Sequence, residues 1–293
     1  MRLLSKAVIP LIVVAVAVPV MIRAAQNPGA APVAPAAPPR AVTIPFAGEP
    51  TQGGWIRGTL PAGMRSLSLD GTPVDVAPDG SWFAAFDRDA GPQALLRTVL
   101  ANGSLGEQRI AVSPRAWQIE NVNIARSPGG PSAAFMALRR PELARINAAR
   151  AQVTGAQGWR QHFVWPATGR ISGRFGSQRI YRGEPGAYHS GLDISSGTSG
   201  TPFVAPADGV VILAAEKPFT LEGNLLMLDH GMGLNSAFLH CSQILVKEGD
   251  HVRQGQVIGR IGMTGRATGP HLHWSIKWNE ARLDPLLFLG PMN

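Results

Sequence analysis

A single cysteine, Cys241, stands in a chain of 293 residues. No intrachain disulfide can form, and a metal site built from several thiolates of one chain is excluded. Charged side chains are scarce, at 16%, in a chain that is 45% hydrophobic, which leaves room for a sizeable core. Aromatic residues make up only 6%, too few for a base-stacking surface. The net charge is +8, but no run of five or six Lys/Arg occurs. The basic balance reads as a generic surface, and nucleic acid is not expected as a partner. The HExxH motif is missing, and with it the helix-borne glutamate base of one class of zinc sites.

Long apolar runs are also lacking. Residues 7–22 form an apolar stretch of 16 residues, short of the ~20 needed to span a bilayer. Pro10 and Pro19 weaken it further as a helix. Arg2 and Lys6 precede it, which gives residues 1–25 the shape of a signal peptide or an uncleaved signal anchor. Either form implies export, with membrane contact only through this segment.

Glycine (34) and proline (25) are plentiful and favour strands and turns over long helices. Residues 26–42 are rich in Pro and Ala and read as an extended linker. Residues 43–125 alternate short apolar runs with turn dipeptides such as Asp70-Gly71, Asp79-Gly80 and Asn102-Gly103, the pattern of a small β-sandwich-like domain. Residues 126–160 are dominated by Ala, Leu, Arg and Glu and read as a helical connector, started or interrupted at Pro141. Residues 161–293 return to β patterning. The expected fold class is therefore mainly β, with a helical linker between two β-rich parts.

Six of the seven histidines lie between positions 189 and 273. The first constellation is "AYHSGLDIS", with His189 and Asp193 four apart. On a straight strand these would sit about 13 Å from each other, so a bend at Ser190-Gly191 is needed to bring them together, with the glycine supplying the backbone freedom. The second is "GPHLHWSIKW". Period-2 alternation puts His271, His273, Ser275 and Lys277 on one face and Leu272, Trp274, Ile276 and Trp278 on the other. One histidine can bind a metal while its neighbour reaches water or substrate. The third is His240, closing "LNSAFLH". Two imidazoles and one carboxylate suit Zn²⁺ and leave a fourth position open. With no HExxH glutamate, a proton acceptor and an oxyanion donor must be found elsewhere, and His240 and His271 are the candidates.

These segments, with "SGRFGSQRIYRGEPGAYHSGLDIS", "GTPFVAPADGVV", "DHGMG" and "GRIGMTGRATGPHLHWSI", closely resemble the lysostaphin-type (LytM-domain) zinc metalloendopeptidases over about residues 165–290. A weaker likeness to periplasmic Gram-negative members extends over residues 43–160. The resemblance implies an antiparallel β peptidase domain, zinc ligands at His189, Asp193 and His273, and catalytic histidines at His240 and His271. It implies peptidoglycan stem peptides as substrate, cut at a cross-link such as D-Ala–meso-diaminopimelate. It also implies a periplasmic location, free or anchored to the inner membrane, and leaves envelope proteins as partners of the N-terminal domain. Relatives often carry tyrosine and leucine where this chain has Phe238 and Cys241. Two other functions are weighed. A non-catalytic activator of cell-wall amidases is disfavoured because all five residues are present. A biotinyl- or lipoyl-like adaptor, suggested by "PADGVV" and "VKEGDHVRQGQVIGRIG", is disfavoured because Lys217 and Lys247 lack the expected hairpin setting.

Several single residues have two readings. His230 reads as structural, His251 as exposed, and His162 has no evident partner. Cys241 reads as buried rather than nucleophilic, because neighbours on a strand face opposite ways. Tyr181 or Tyr188 could serve as an oxyanion donor. Arg174, Arg179 and Arg266 either bind a substrate carboxylate or sit on turns.

Overall fold

A computed structural model describes residues 38–125, 130–215 and 217–292. The signal segment and most of the Pro/Ala-rich linker lie outside the described residues. Pro38–Asn293 cluster as one compact unit. Among the described residues no helix is long and apolar enough to cross a membrane.

The N-terminal part contains two small sheets. One is ordered Arg40–Ala41, Leu105–Ala111, Gln93–Val99, Leu67–Leu69, Thr72–Val74. The other joins Phe46–Gly48, Trp55–Thr59 and Ser81–Ala85. Asp70-Gly71 makes the tight turn of the 67–74 hairpin, with φ of 48° and 85°. Both central turn residues are left-handed, as the twist of a two-residue hairpin requires.

The C-terminal part is built on an antiparallel sheet in the order Arg170–Gly173, Leu192–Ser195, Leu272–Trp278, Leu234–Cys241, Asn224–Gly231, Gly209–Ala214, His251–Val252. The apolar alternation of "HLHWSIKW" explains its central strand. Leu272, Trp274 and Ile276 are at most 1% exposed, while Ser275 and Lys277 on the opposite face are half-buried. The strand begins at Leu272; His271 precedes it and makes a bridge to Gly262.

The connector is a helix, Ala133–Arg150, capped by Ser132, whose hydroxyl accepts from the Phe135 N–H at 3.1 Å. Pro141 neither starts nor ends it. The proline forfeits one backbone hydrogen bond, and the helix continues because Ile146 and Ala149 pack on Ile212, Leu225, Met227 and Ala237 of the sheet.

Aromatic packing joins the N-terminal sheets to the C-terminal one. Phe83 lies 6.5 Å from Trp278 and 6.4 Å from Phe288, and Trp55 lies 5.5 Å from Phe288. Burying a side chain such as Phe contributes about 1.5–3 kcal/mol, so this cluster holds the two parts firmly. A further strand, Ile119–Val122, pairs in parallel with Gln178–Tyr181. It ties the end of the N-terminal part to the loop that leads into His189.

Candidate metal centre

Strand register places two of the five candidate residues side by side. Asp193 and His273 are direct cross-strand partners, so their side chains leave the same face. His189 reaches them from the segment before the strand, through a bend at Gly191. Gly191 does not use a left-handed φ, contrary to the expectation of special backbone freedom. It is needed for room: a Cβ there would lie 2.6 Å from His273 Nε2 and 2.6 Å from the Trp274 carbonyl oxygen. Gly173 has the same role on the other side, where a Cβ would overlap the Asp193 carboxylate and sit 3.1 Å from His189 Cε1.

His189 Nε2, Asp193 Oδ1 and His273 Nδ1 face one another. The separations are 3.1 Å from His189 to Asp193, 3.1 Å from His189 to His273 and 2.8 Å from His273 to Asp193. A tetrahedral zinc with bonds of about 2.1 Å has edges of about 3.4 Å, so an ion fits with a small outward relaxation. The donor chemistry also fits. His189 Nδ1 lies 3.1 Å from the Arg174 carbonyl, which can only accept, so the proton of the neutral ring sits on Nδ1. Its Nε2 lone pair then points at another ring nitrogen and a carboxylate oxygen. Three electron-rich atoms aimed at one point are relieved by a cation.

Electrostatics follow from this crowding. Burial alone would raise the Asp193 pKa, but the adjoining rings of His189 and His273 hold its carboxyl far below the usual range. Burial works against the charged form of His189, yet Asp193 outweighs it and raises that pKa. Burial lowers the pKa of His273 and of His240.

His240 and His271 flank the cluster. Their rings are 4.9 Å apart, His240 is 6.2 Å from the His273 ring, and His271 Nε2 is 3.8 Å from Asp193 Oδ1. Each donates Nδ1–H to a carbonyl at 2.8 Å, Thr264 for His240 and Gly269 for His271. Both therefore carry a lone pair on Nε2. His240 is one of the few non-glycine residues with a positive φ, at 65°. Leu239 is the partner of His273, so regular alternation would send His240 to the opposite, core face. The left-handed backbone turns it toward His271 instead, a conformation L-residues adopt at a cost.

Support comes from outside the peptidase part. Arg88 Nη2 donates to the Gly176 carbonyl at 2.9 Å and to Gln178 at 3.1 Å. Gly176 N–H in turn donates to the His189 carbonyl at 2.9 Å. Arg88 also lies over the rings of Trp117 and Tyr188, at 5.2 and 4.7 Å. Sequence reading missed Arg88, Gly173 and the carbonyls of Arg174, Thr264 and Gly269, because a role carried by backbone or by a distant partner leaves no local motif.

The remaining residues sort clearly. Tyr181, Tyr188, Arg174, Arg179 and Arg266 line an open cleft of about 1040 Å³ together with His189 and Asp193. Arg179 pairs with Glu120 at 2.6 Å. The Tyr188 hydroxyl accepts from Arg282 at 3.3 Å. His230 is fully buried, donates Nδ1–H to the Asp208 carbonyl at 2.8 Å and takes the Ser236 hydroxyl at 2.8 Å on Nε2. Trp274 Nε1–H also reaches Ser236, at 3.1 Å, so His230 anchors the inner face of the strand that carries His273. Cys241 is buried and its thiol is pushed up to about 12 by burial. Phe238 is core, stacked 5.3 Å from Phe203; a tyrosine hydroxyl at this position would be buried, not in the cleft. His251 is exposed.

Residues 187–285 match the model of peptidase family M23. The chain is 41% identical over 108 residues to the peptidoglycan DD-endopeptidase ShyA of Vibrio cholerae, covering 36% of this chain and 24% of that protein. It is 39% identical over 121 residues to the DD-carboxypeptidase/endopeptidase Mpg of Neisseria meningitidis, covering 40% and 26%. The matches thus span about a quarter of the length of these curated relatives. A solved structure of peptidase M23 type from Pseudomonas aeruginosa superposes with a TM-score of 0.62 at 30% identity, covering 82% of this chain and 95% of that one. Joined to a mainly antiparallel β fold and a His/Asp/His cluster, these matches make the chain a member of peptidase family M23.

Proposed function

We propose that this protein is an exported zinc metalloendopeptidase that hydrolyses peptide cross-links of peptidoglycan, with D-Ala–meso-diaminopimelate as the bond cut. The reading places it in the periplasm, free or held at the inner membrane by its N-terminal segment. His189, Asp193 and His273 are the zinc ligands, and His240 and His271 the catalytic histidines. The observation that carries it is the convergence of three ligand atoms within 4.8 Å of one another, beside two histidines whose Nδ1–H groups are both tied to carbonyls.

When bound, zinc supplies Lewis acidity, polarising the scissile carbonyl and acidifying water. His189, Asp193 and His273 would hold the ion. His240 and His271 present Nε2 lone pairs beside them. One of them takes a proton from the attacking water and returns it to the leaving amine. Burial keeps His240 neutral near pH 7, the state in which it can accept. The carbonyls of Thr264 and Gly269 fix the tautomer and aim of each ring.

The test is zinc content and turnover of the full chain on purified, cross-linked sacculi. Zinc binding with sacculi left uncut sinks the reading. His273→Ala and Asp193→Ala are expected to lose both zinc and activity. His271→Ala is expected to keep zinc and lose about 10²-fold or more in rate; a near wild-type rate refutes its role.

A further inference from the structure

The helix Ala133–Arg150 lies outside the segment matched by the family model, yet it builds one wall of a second cavity beside the ligands. His273, Ser275 and Lys277 share one face of their strand. Between that face and the helix is a cavity of about 240 Å³, lined by His273, Ser275, Arg139, Arg150, Lys277 and Arg282 among others. A carboxylate group needs little more room than one or two waters of about 30 Å³ each.

The four cations are not equally engaged. Arg139 forms a two-armed pair with Glu222, at 2.5 and 2.6 Å. Lys277 pairs with Glu280 at 2.7 Å. Among the described residues, neither Arg150 nor Arg282 has a carboxylate within 4.0 Å. Among the described residues, Arg282 reaches only the Tyr188 hydroxyl by side-chain hydrogen bond. Arg150 Nε is fully buried and has no hydrogen-bond partner among the described residues. Leaving a buried cationic donor without an acceptor is costly, and the group that satisfies a guanidinium best is a carboxylate, in a forked pair.

We propose that this pocket binds a free carboxylate of the substrate, carried on the leaving side of the scissile amide, with Arg150 and Arg282 as its counter-ions. The identity of the ligand rests on the peptidase reading above. In a D-Ala–diaminopimelate link, the carbon bearing the scissile nitrogen also bears a free carboxylate. A peptide held at the ligand cluster would carry that group within reach of the pocket, because His273 lines both. Arg150 and Arg282 are then specificity-determining residues, and Arg150 is supplied by the connector helix rather than by the matched peptidase segment.

Two cross-linked peptides test this, one with the leaving-side carboxylate free and one with it amidated. Binding of both is measured by calorimetry on the zinc-loaded full chain carrying His271→Ala to suppress turnover. The free acid is expected to bind at least about tenfold tighter, the size of a charge-assisted contact. Adding Arg150→Gln brings the two affinities toward equality, and Arg150→Lys retains part of the preference. Arg97→Gln, on an N-terminal sheet, leaves the ratio where it was. Should Arg150→Gln fail to fold by its melting curve, Arg282→Gln carries the same comparison. Equal affinity for both peptides, or a ratio unmoved by Arg150→Gln and Arg282→Gln, overturns the proposal. A preserved preference, together with a zinc-loaded chain that retains His271 and still cuts neither peptide, overturns the peptidase reading and leaves the pocket standing.

Discussion

Replacing Gly191 with alanine adds one methyl group at the point where the segment carrying His189 crosses His273. The new Cβ would lie 2.6 Å from both His273 Nε2 and the Trp274 carbonyl oxygen, where ordinary contact begins at 3.4 Å. Something must move by the difference, roughly 0.8 Å, close to 40% of a zinc–nitrogen bond of about 2.1 Å. The Trp274 carbonyl belongs to a central strand paired on both sides and is the stiffer obstacle, so the strain falls on the His273 ring and the His189 segment. Overpacking of this kind costs about 1–3 kcal/mol. If it is expressed at the proposed ligands, zinc affinity falls by about 5- to 150-fold at 1.4 kcal/mol per decade. The assay is competition for zinc with a chromophoric chelator, alongside turnover and a melting curve in excess zinc. Gly197→Ala is the control. Gly197 has a φ of 81° and open space around its Cβ position, so it costs about 1 kcal/mol of backbone strain without touching the ligands. A Gly191→Ala protein with wild-type zinc affinity and turnover refutes the claim that this glycine makes room for the site.

Other outcomes follow from individual side chains. His240→Gly is expected to be more stable than His240→Ala by about 1 kcal/mol, reversing the usual order in strands, because alanine keeps the left-handed strain and glycine does not; melting curves of the two variants decide it. Complete burial depresses the His230 pKa, so below about pH 6.5 the unfolded chain takes up a proton that the folded chain refuses. Stability is then lost as pH falls, by up to about 1.4 kcal/mol per pH unit from this group. The slope of denaturant stability between pH 6.5 and 5 should flatten in His230→Gln, and an unchanged slope removes His230 as the source. The Cys241 thiol, with its pKa near 12, should resist alkylation at pH 8 in the folded chain and react once unfolded; rapid labelling of the native protein contradicts the packing around it.

The β character, a helix between the two β-rich parts and the five candidate site residues could all be read from sequence. Alternation in "HLHWSIKW" set the faces of the strand that carries His273, and turn chemistry at Asp70-Gly71 marked a hairpin. These are local signals, because side-chain period and turn conformation depend on neighbours in the chain. What tertiary structure alone decided is how those residues meet. Asp193 and His273 are 80 residues apart, and only strand register makes them partners. Gly191 and Gly173 are fixed by the atoms they would strike, and those belong to other segments. His240 violates the alternation of its own strand through a left-handed φ that no pattern announces. Pro141 sits inside a helix because packing on the sheet outweighs one lost hydrogen bond. Arg88 and Arg150 lie outside the matched family segment and touch the site only through the folded chain. Close approach, register and strain are relations between distant segments, so they exist only once the chain has folded.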